Sequence, residues 1–204
     1  MEGMGESAKK QQYKEPFTYA DYLTWENDDQ RVEIIEGGVY DMSPAPSTNH
    51  QIVATNLVEA LNSKMKENGC RVLAAPFDVR LDPRMKSVKD NEDDDVKTVV
   101  QPDISVYCDQ TKLDDKGGAG APDLVVEILS PHTQDKDMSV KLILYMKNQV
   151  PEYWIVDADK QSINQFVLDD EGFYELVATV GKKDKLKPRQ FQDVKLDLSE
   201  VFDY

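Results

Sequence analysis

The stretch Pro-Asp-Leu-Val-Val-Glu-Ile-Leu-Ser-Pro, residues 122–131, narrows the possible folds of this chain more than any other segment. Its apolar members, Leu124, Val125, Val126, Ile128 and Leu129, are closed off by proline on both sides, the pattern of a strand covered on both faces. A helical run, DKDMSVKLILYMKNQ, follows, and EYWIVD then reads as a second buried strand. Two such strands joined by a helix lie parallel, linked by a right-handed crossover. The class is therefore α/β. Glu127 is the odd member of the first strand, and burying an unpaired carboxylate costs several kcal/mol or forces it to protonate. It requires a partner.

The flanking segments extend this core. Residues 1–16 are polar and aperiodic and read as a disordered tail, leaving 17–204 as a single domain, a size that suits 204 residues. Thr18 three residues before Asp21 is a capping pattern that opens a short helix carrying Tyr19, Tyr22, Leu23 and Trp25. Two β-prone runs around Glu36-Gly37-Gly38 predict a hairpin. A Thr48–Gln51 capping box, with apolar residues at 54, 57, 58, 61 and 65 before Gly69, predicts a long amphipathic helix from near His50. RVLAAPFDVRLD alternates Phe77, Val79 and Leu81 with Asp78, Arg80 and Asp82, as a strand with one wet face does. TVVQPDISVY reads as a further strand containing Asp103. SINQFVL and FYELVATV, joined by DDEG, predict an antiparallel pair at the sheet edge.

A formal net charge of −15 opposes a nucleic-acid-binding surface that is basic throughout, since phosphate contacts need lysine or arginine. Part of the excess is local: DNEDDD, residues 90–95, reads as a solvated loop, as does the basic run GKKDKLKPR at 181–189. The longest apolar stretches run four or five residues, far short of a membrane span. The start of the chain carries charges where a secretory signal needs an apolar core, and Cys70 and Cys108 are too few for a disulfide framework. The expectation is a soluble, cytoplasmic protein.

Asp103 and Glu127 stand in consecutive predicted strands. If those strands pair, the two acids face one surface, and like charges that close repel unless a cation lies between them. A hard divalent ion held by one or two carboxylates plus water is how Mg²⁺ commonly binds, so a metal is the expected partner of Glu127. Metal-assisted attack on phosphate also uses a cation or acid/base group near the attacking water. Position 129, on the same side of the strand as 127, holds leucine, but Lys141 and Tyr145 lie four apart on one face of the following helix and can reach over the strand end.

These elements and acids resemble the PD-(D/E)xK nuclease superfamily, with its restriction-endonuclease-like core of helix, three strands, helix and strand on a mixed central sheet. An N-terminal helix and hairpin and C-terminal edge strands complete the expected fold. More closely, VEIIEGGVYDMSPAPSTNHQ, VVQPDISVY, GAPDLVVEILSP, KLILY and EYWIVD resemble the Uma-type family of restriction-endonuclease-like proteins, over about residues 17–200. The resemblance implies that Asp103 and Glu127 bind Mg²⁺ or Mn²⁺, with the carbonyl of Ile128 as a further ligand. It implies that Lys141 replaces the missing strand lysine, that Tyr145 orients the site, and that Glu33 faces the same cleft. His50 and Gln51 match the family's histidine-glutamine pair, at a helix start where free amides favour anions.

Two functions follow as expectations. One is a metal-dependent endonuclease, a hydrolase acting on nucleic acid and most plausibly DNA, working as a homodimer as such folds often do. The other is a catalytically inactive module of the same fold that serves in binding or assembly, in keeping with the acidic surface and with Leu129.

Overall fold

The structure, a computed structural model, describes residues 16–25, 31–42, 46–90, 93, 95–130, 136–191 and 193–204. The expected tail, apart from Pro16, and Asn91, Glu92 and Asp94 of the acidic run lie outside the described residues. In chain order the first half has α1 (Tyr19–Thr24), β1 (Val32–Ile35), β2 (Gly38–Asp41), α2 (Thr48–Met65), β3 (Arg71–Ala74), β4 (Val79–Arg80), β5 (Val99–Val100) and β6 (Ile104–Tyr107). There follow β7 (Leu113–Asp114), β8 (Gly117–Ala119), β9 (Leu124–Ile128), α3 (Leu142–Lys147), β10 (Glu152–Asp157), β11 (Ser162–Leu168) and β12 (Tyr174–Gly181). The chain closes with β13 (Lys185–Leu186), β14 (Leu196–Asp197) and α4 (Leu198–Val201).

Among the described residues these form two six-stranded sheets and a two-stranded ribbon. The larger strands build one sheet in the order β12-β11-β10-β9-β6-β3, with β9 and β10 parallel and their neighbours antiparallel. The crossover and the antiparallel edge pair β11–β12 agree with the reading from the sequence. One face of this sheet packs α2, through Val53, Leu57, Leu61 and Met65, onto Ile104, Val106, Val126 and Trp154. The opposite face packs Val125, Tyr153 and Ile155 against Leu144 and Tyr145 of α3 and against Ile35, Val79 and Val100 of the second sheet, β2-β1-β5-β4-β8-β7.

Two of the predicted strands are each cut in two. Residues 71–82 are β3 in one sheet and β4 in the other, parted by Pro76, and residues 98–107 are β5 and β6, parted by Pro102. Proline has no N–H to give a ladder, and at both places the chain passes from one sheet to the other. Asp103 therefore stands at a crossing between sheets, not inside a strand. Arg80 is fully buried, not on a wet face: it lies over the Tyr19 ring at 5.3 Å, donates to the Gly118 carbonyl and pairs with Asp114 at 2.6 Å.

Local signals mostly act as expected. The Thr18–Asp21 capping box is complete, and the β1–β2 turn is Glu36-Gly37, both at positive φ. A Cβ on Gly37 would stand 2.4 Å from the Pro16 side chain, so this turn also needs glycine for space. The cap of α2 is Ser47, which accepts from the His50 N–H, and not Thr48, which is the first helical residue. The predicted helix after residue 135 is a π-helical turn, Lys136–Lys141, running into α3. Cys70 and Cys108 form a disulfide, which the sequence reading did not expect. They extend the β3–β6 register by one pair beyond Arg71 and Tyr107, a neighbourhood set by pairing across 38 positions and not by local spacing.

Candidate active site

Glu127 sits near the C-terminal end of β9 and alternates with Val126 and Ile128, which face α2. Its side chain thus enters the space between the sheets. The partner that the sequence demanded is there: Lys141 Nζ lies 2.6 Å from Glu127 Oε1, and the Tyr145 hydroxyl donates to the same oxygen at 2.7 Å. The four-residue interval from Lys141 to Tyr145 places both over one oxygen, the spacing of neighbours on a helix surface. Lys141 occupies the last position of the π turn, a distortion that recurs at functional sites.

Glu33, on β1 of the other sheet, comes within 3.0 Å of Lys141 Nζ through its Oε1, which also accepts from the Gln101 N–H at 3.1 Å. Glu33, Glu127 and Lys141 are all at most 4% exposed. One ammonium thus lies between two buried carboxylates drawn from different sheets. Burial, and then the adjacent Glu127 charge, push the Tyr145 phenol well above its usual range, so it stays a protonated donor.

Asp103 is held differently. The β6–β9 register, Ile104 with Val126, sets position 103 across from position 127 when it is continued by one residue. The Asp103 carboxylate accepts the Ile128 N–H at 2.8 Å and lies 3.4 Å from His50 Nε2, while its backbone carbonyl accepts the Ala75 N–H. His50 is buried in the first turn of α2.

The six side chains singled out from the sequence therefore form two groups that meet at the β6–β9 pairing. Glu33, Glu127, Lys141 and Tyr145 make one, His50 and Asp103 the other, and the Ile128 backbone lies between. Among the described residues no group of three or more His, Cys, Asp and Glu side chains is gathered as a metal site. The donors present are hard carboxylate oxygens at the end of the β6–β9 pairing. This set fits a hard divalent ion that keeps several waters, and it does not fit a metal needing a full protein cage. Sequence reasoning missed Gln101, whose N–H secures Glu33. Its position immediately before Pro102-Asp103, where the chain leaves a sheet, was the available signal.

The fold is that of the restriction-endonuclease-like α/β proteins. It resembles the crystal structure of a putative nuclease belonging to DUF820 from Anabaena variabilis, with a TM-score of 0.67, 19% identity, and coverage of 92% of this chain and 98% of that one. Residues 19–199 match the Uma2 family, described as putative restriction endonuclease, and the chain belongs to that family. It is also 24% identical over 169 residues, 82% of each chain, to the uncharacterized protein slr1290 of Synechocystis sp.. No described helix is long and apolar enough to cross a membrane.

Proposed function

We propose that this chain is a metal-dependent endonuclease that hydrolyses phosphodiester bonds in DNA. The observation that carries the reading is the buried Glu127–Lys141 contact, one residue from the Ile128 amide that holds Asp103. Asp103, Glu127 and the Ile128 carbonyl would hold Mg²⁺ or Mn²⁺. Such an ion supplies Lewis-acid polarisation and a bound water of lowered pKa.

The side chains do the rest. Lys141 steadies negative charge that develops on the phosphoryl oxygens, and Glu33 holds its ammonium in place. Tyr145 fixes the Glu127 carboxylate by a hydrogen bond that does not titrate away at neutral pH. His50 backs Asp103 from the first turn of α2, where free amides and the helix dipole favour an anion. By analogy with nucleases of this fold, the products are a 5′-phosphate and a 3′-hydroxyl, and two copies working together cut a duplex.

The test is incubation of purified protein with plasmid and with single-stranded DNA in Mg²⁺ or Mn²⁺, beside Asp103→Asn and an EDTA control. Nicking that needs the metal and disappears in the variant is the expected result. Cleavage that persists in the variant comes from a contaminant.

A second reading, a nuclease-fold module without catalysis that serves in binding or assembly, draws support from Leu129 and from the net charge of −15. Metal binding without cleavage on every nucleic acid tried decides for it.

A further inference from the structure

We infer that Arg31 is a phosphate-binding residue of this site: its guanidinium, held by the Gln101 side-chain amide, receives a backbone phosphate of the polynucleotide next to the scissile bond. The inference rests on the nuclease reading above and adds a residue to it.

Arg31 directly precedes β1, and its carbonyl accepts the Met42 N–H, so its backbone continues the β1–β2 ladder. It is two residues from Glu33. Strand alternation turns both side chains to one face, roughly 7 Å apart along the strand. Its NH2 group donates to Gln101 Oε1 at 2.7 Å, and the Gln101 backbone N–H in turn secures Glu33. A chain of contacts thus runs from Arg31 through Gln101 and Glu33 to Lys141 and Glu127.

The orientation of the Gln101 amide is determined by its other partners. Its Nε2 donates to Asp78 Oδ1 at 2.7 Å and to the Tyr22 hydroxyl at 3.3 Å. Because an ionised carboxylate only accepts, the nitrogen must face Asp78, and the oxygen is left for Arg31. Arg31 is therefore fixed by a neutral acceptor. Among the described residues no carboxylate pairs with its charge, and one contact engages only part of a five-donor fork. The residue is exposed.

The charge of the site gives this arrangement a purpose. Glu33 and Glu127 share one lysine and Asp103 adds a third carboxylate beside them, an excess that a single divalent ion would only offset. A polyanion approaching a chain of net charge −15 needs a further cation at the mouth. An exposed guanidinium on a neutral tether matches a phosphate, which takes two parallel N–H donors.

The experiment uses the full chain and a fluorescein-labelled oligonucleotide, single-stranded and duplex, with cleavage kinetics followed over a range of salt. Arg31→Ala is expected to raise KM about tenfold, with a smaller change in kcat, as loss of one charged contact does. The slope of log affinity against log salt is expected to fall by about 0.7 on single strands or 0.9 on duplex. Arg31→Lys is expected to restore the slope but only part of the affinity, because a point charge replaces a fork. Wild-type cleavage with an unchanged KM and slope in Arg31→Ala overturns the inference and leaves the nuclease reading standing. A wild-type chain that neither binds nor cleaves either oligonucleotide overturns both.

Discussion

The two halves of the site differ in how they hold a carboxylate. Glu127 is sealed: its side chain and that of Lys141 are 5% exposed, and that of Glu33 is 1% exposed. Asp103, across the strand pair, is 23% exposed and is held by a backbone N–H and a histidine. The sealed half is built from one strand of each sheet and the helical turn that leads into α3, and is tied into the core through Tyr145. The open half depends on one chain crossing and one helix end. A buried ion cluster is costly to break, because removing one member strands the others without compensation. A part-exposed acid held by a backbone amide costs less to alter. The sealed half should therefore carry stability as well as chemistry, and the open half chemistry alone.

The largest expected effect tests that division directly. Lys141→Met removes the ammonium shared by two buried carboxylates, and urea unfolding should show a loss of about 3–5 kcal/mol along with loss of cleavage. If Lys141→Met is as stable as wild type, the division fails.

Next is the disulfide, which lies outside both halves. Reduction, or Cys70→Ser with Cys108→Ser, should lower stability by about 3–4 kcal/mol, as loop-closure entropy across its span implies. Near-native cleavage at temperatures where the reduced protein stays folded would separate this general stabilisation from the specific one at Lys141.

Tyr145→Phe should cost about 1.5–3 kcal/mol, the range for a hydrogen bond to a charged group. Its pH signature is distinct. Burial and the adjacent Glu127 charge raise the folded-state pKa of Tyr145 above the usual phenol value of about 10, so above that pH the folded state binds more protons than the unfolded chain. Stability contributed by this group is fully present below pH 10 and is lost as pH rises further. Melting temperature measured from neutral to alkaline pH should therefore fall less steeply in Tyr145→Phe than in wild type.

The smallest stability effect belongs to the open half. Asp103→Asn keeps an oxygen for the Ile128 N–H and should change unfolding free energy by less than about 1 kcal/mol while abolishing cleavage. A large destabilisation there would merge the two halves into one structural unit.

The sealed half was the more legible of the two. The apolar run around Glu127 announced a buried strand and an acid in need of company, and the four-residue step from Lys141 to Tyr145 announced a shared helix face. The expected partner was a metal, whereas in the structure an ammonium and a phenol contact the carboxylate. Glu33 was in view only by resemblance, because nothing local says that β1 belongs to a second sheet facing β9. Asp103 was read as part of a strand because Ile104, Ser105, Val106 and Tyr107 continue without a break. The cut at Pro102 becomes visible only when β5 and β6 are seen to pair with different neighbours. Arg80 was misread for the same reason: alternation predicts two faces, but both faces of its short strand are covered.

Periodicity, capping residues and prolines determined the elements of this protein and their order, because each acts over a few residues through backbone sterics and hydrogen bonding. The parallel β9–β10 pair followed from the helix between them. Which acids meet which cations, the Cys70–Cys108 bond, and the place of Gln101 and Arg31 beside the site were decided only by tertiary structure. Those contacts join positions far apart in the chain, Glu33 with Lys141 and Arg31 with Gln101 among them, and a carboxylate's partner is settled by whichever group the packed sheets bring within hydrogen-bond reach.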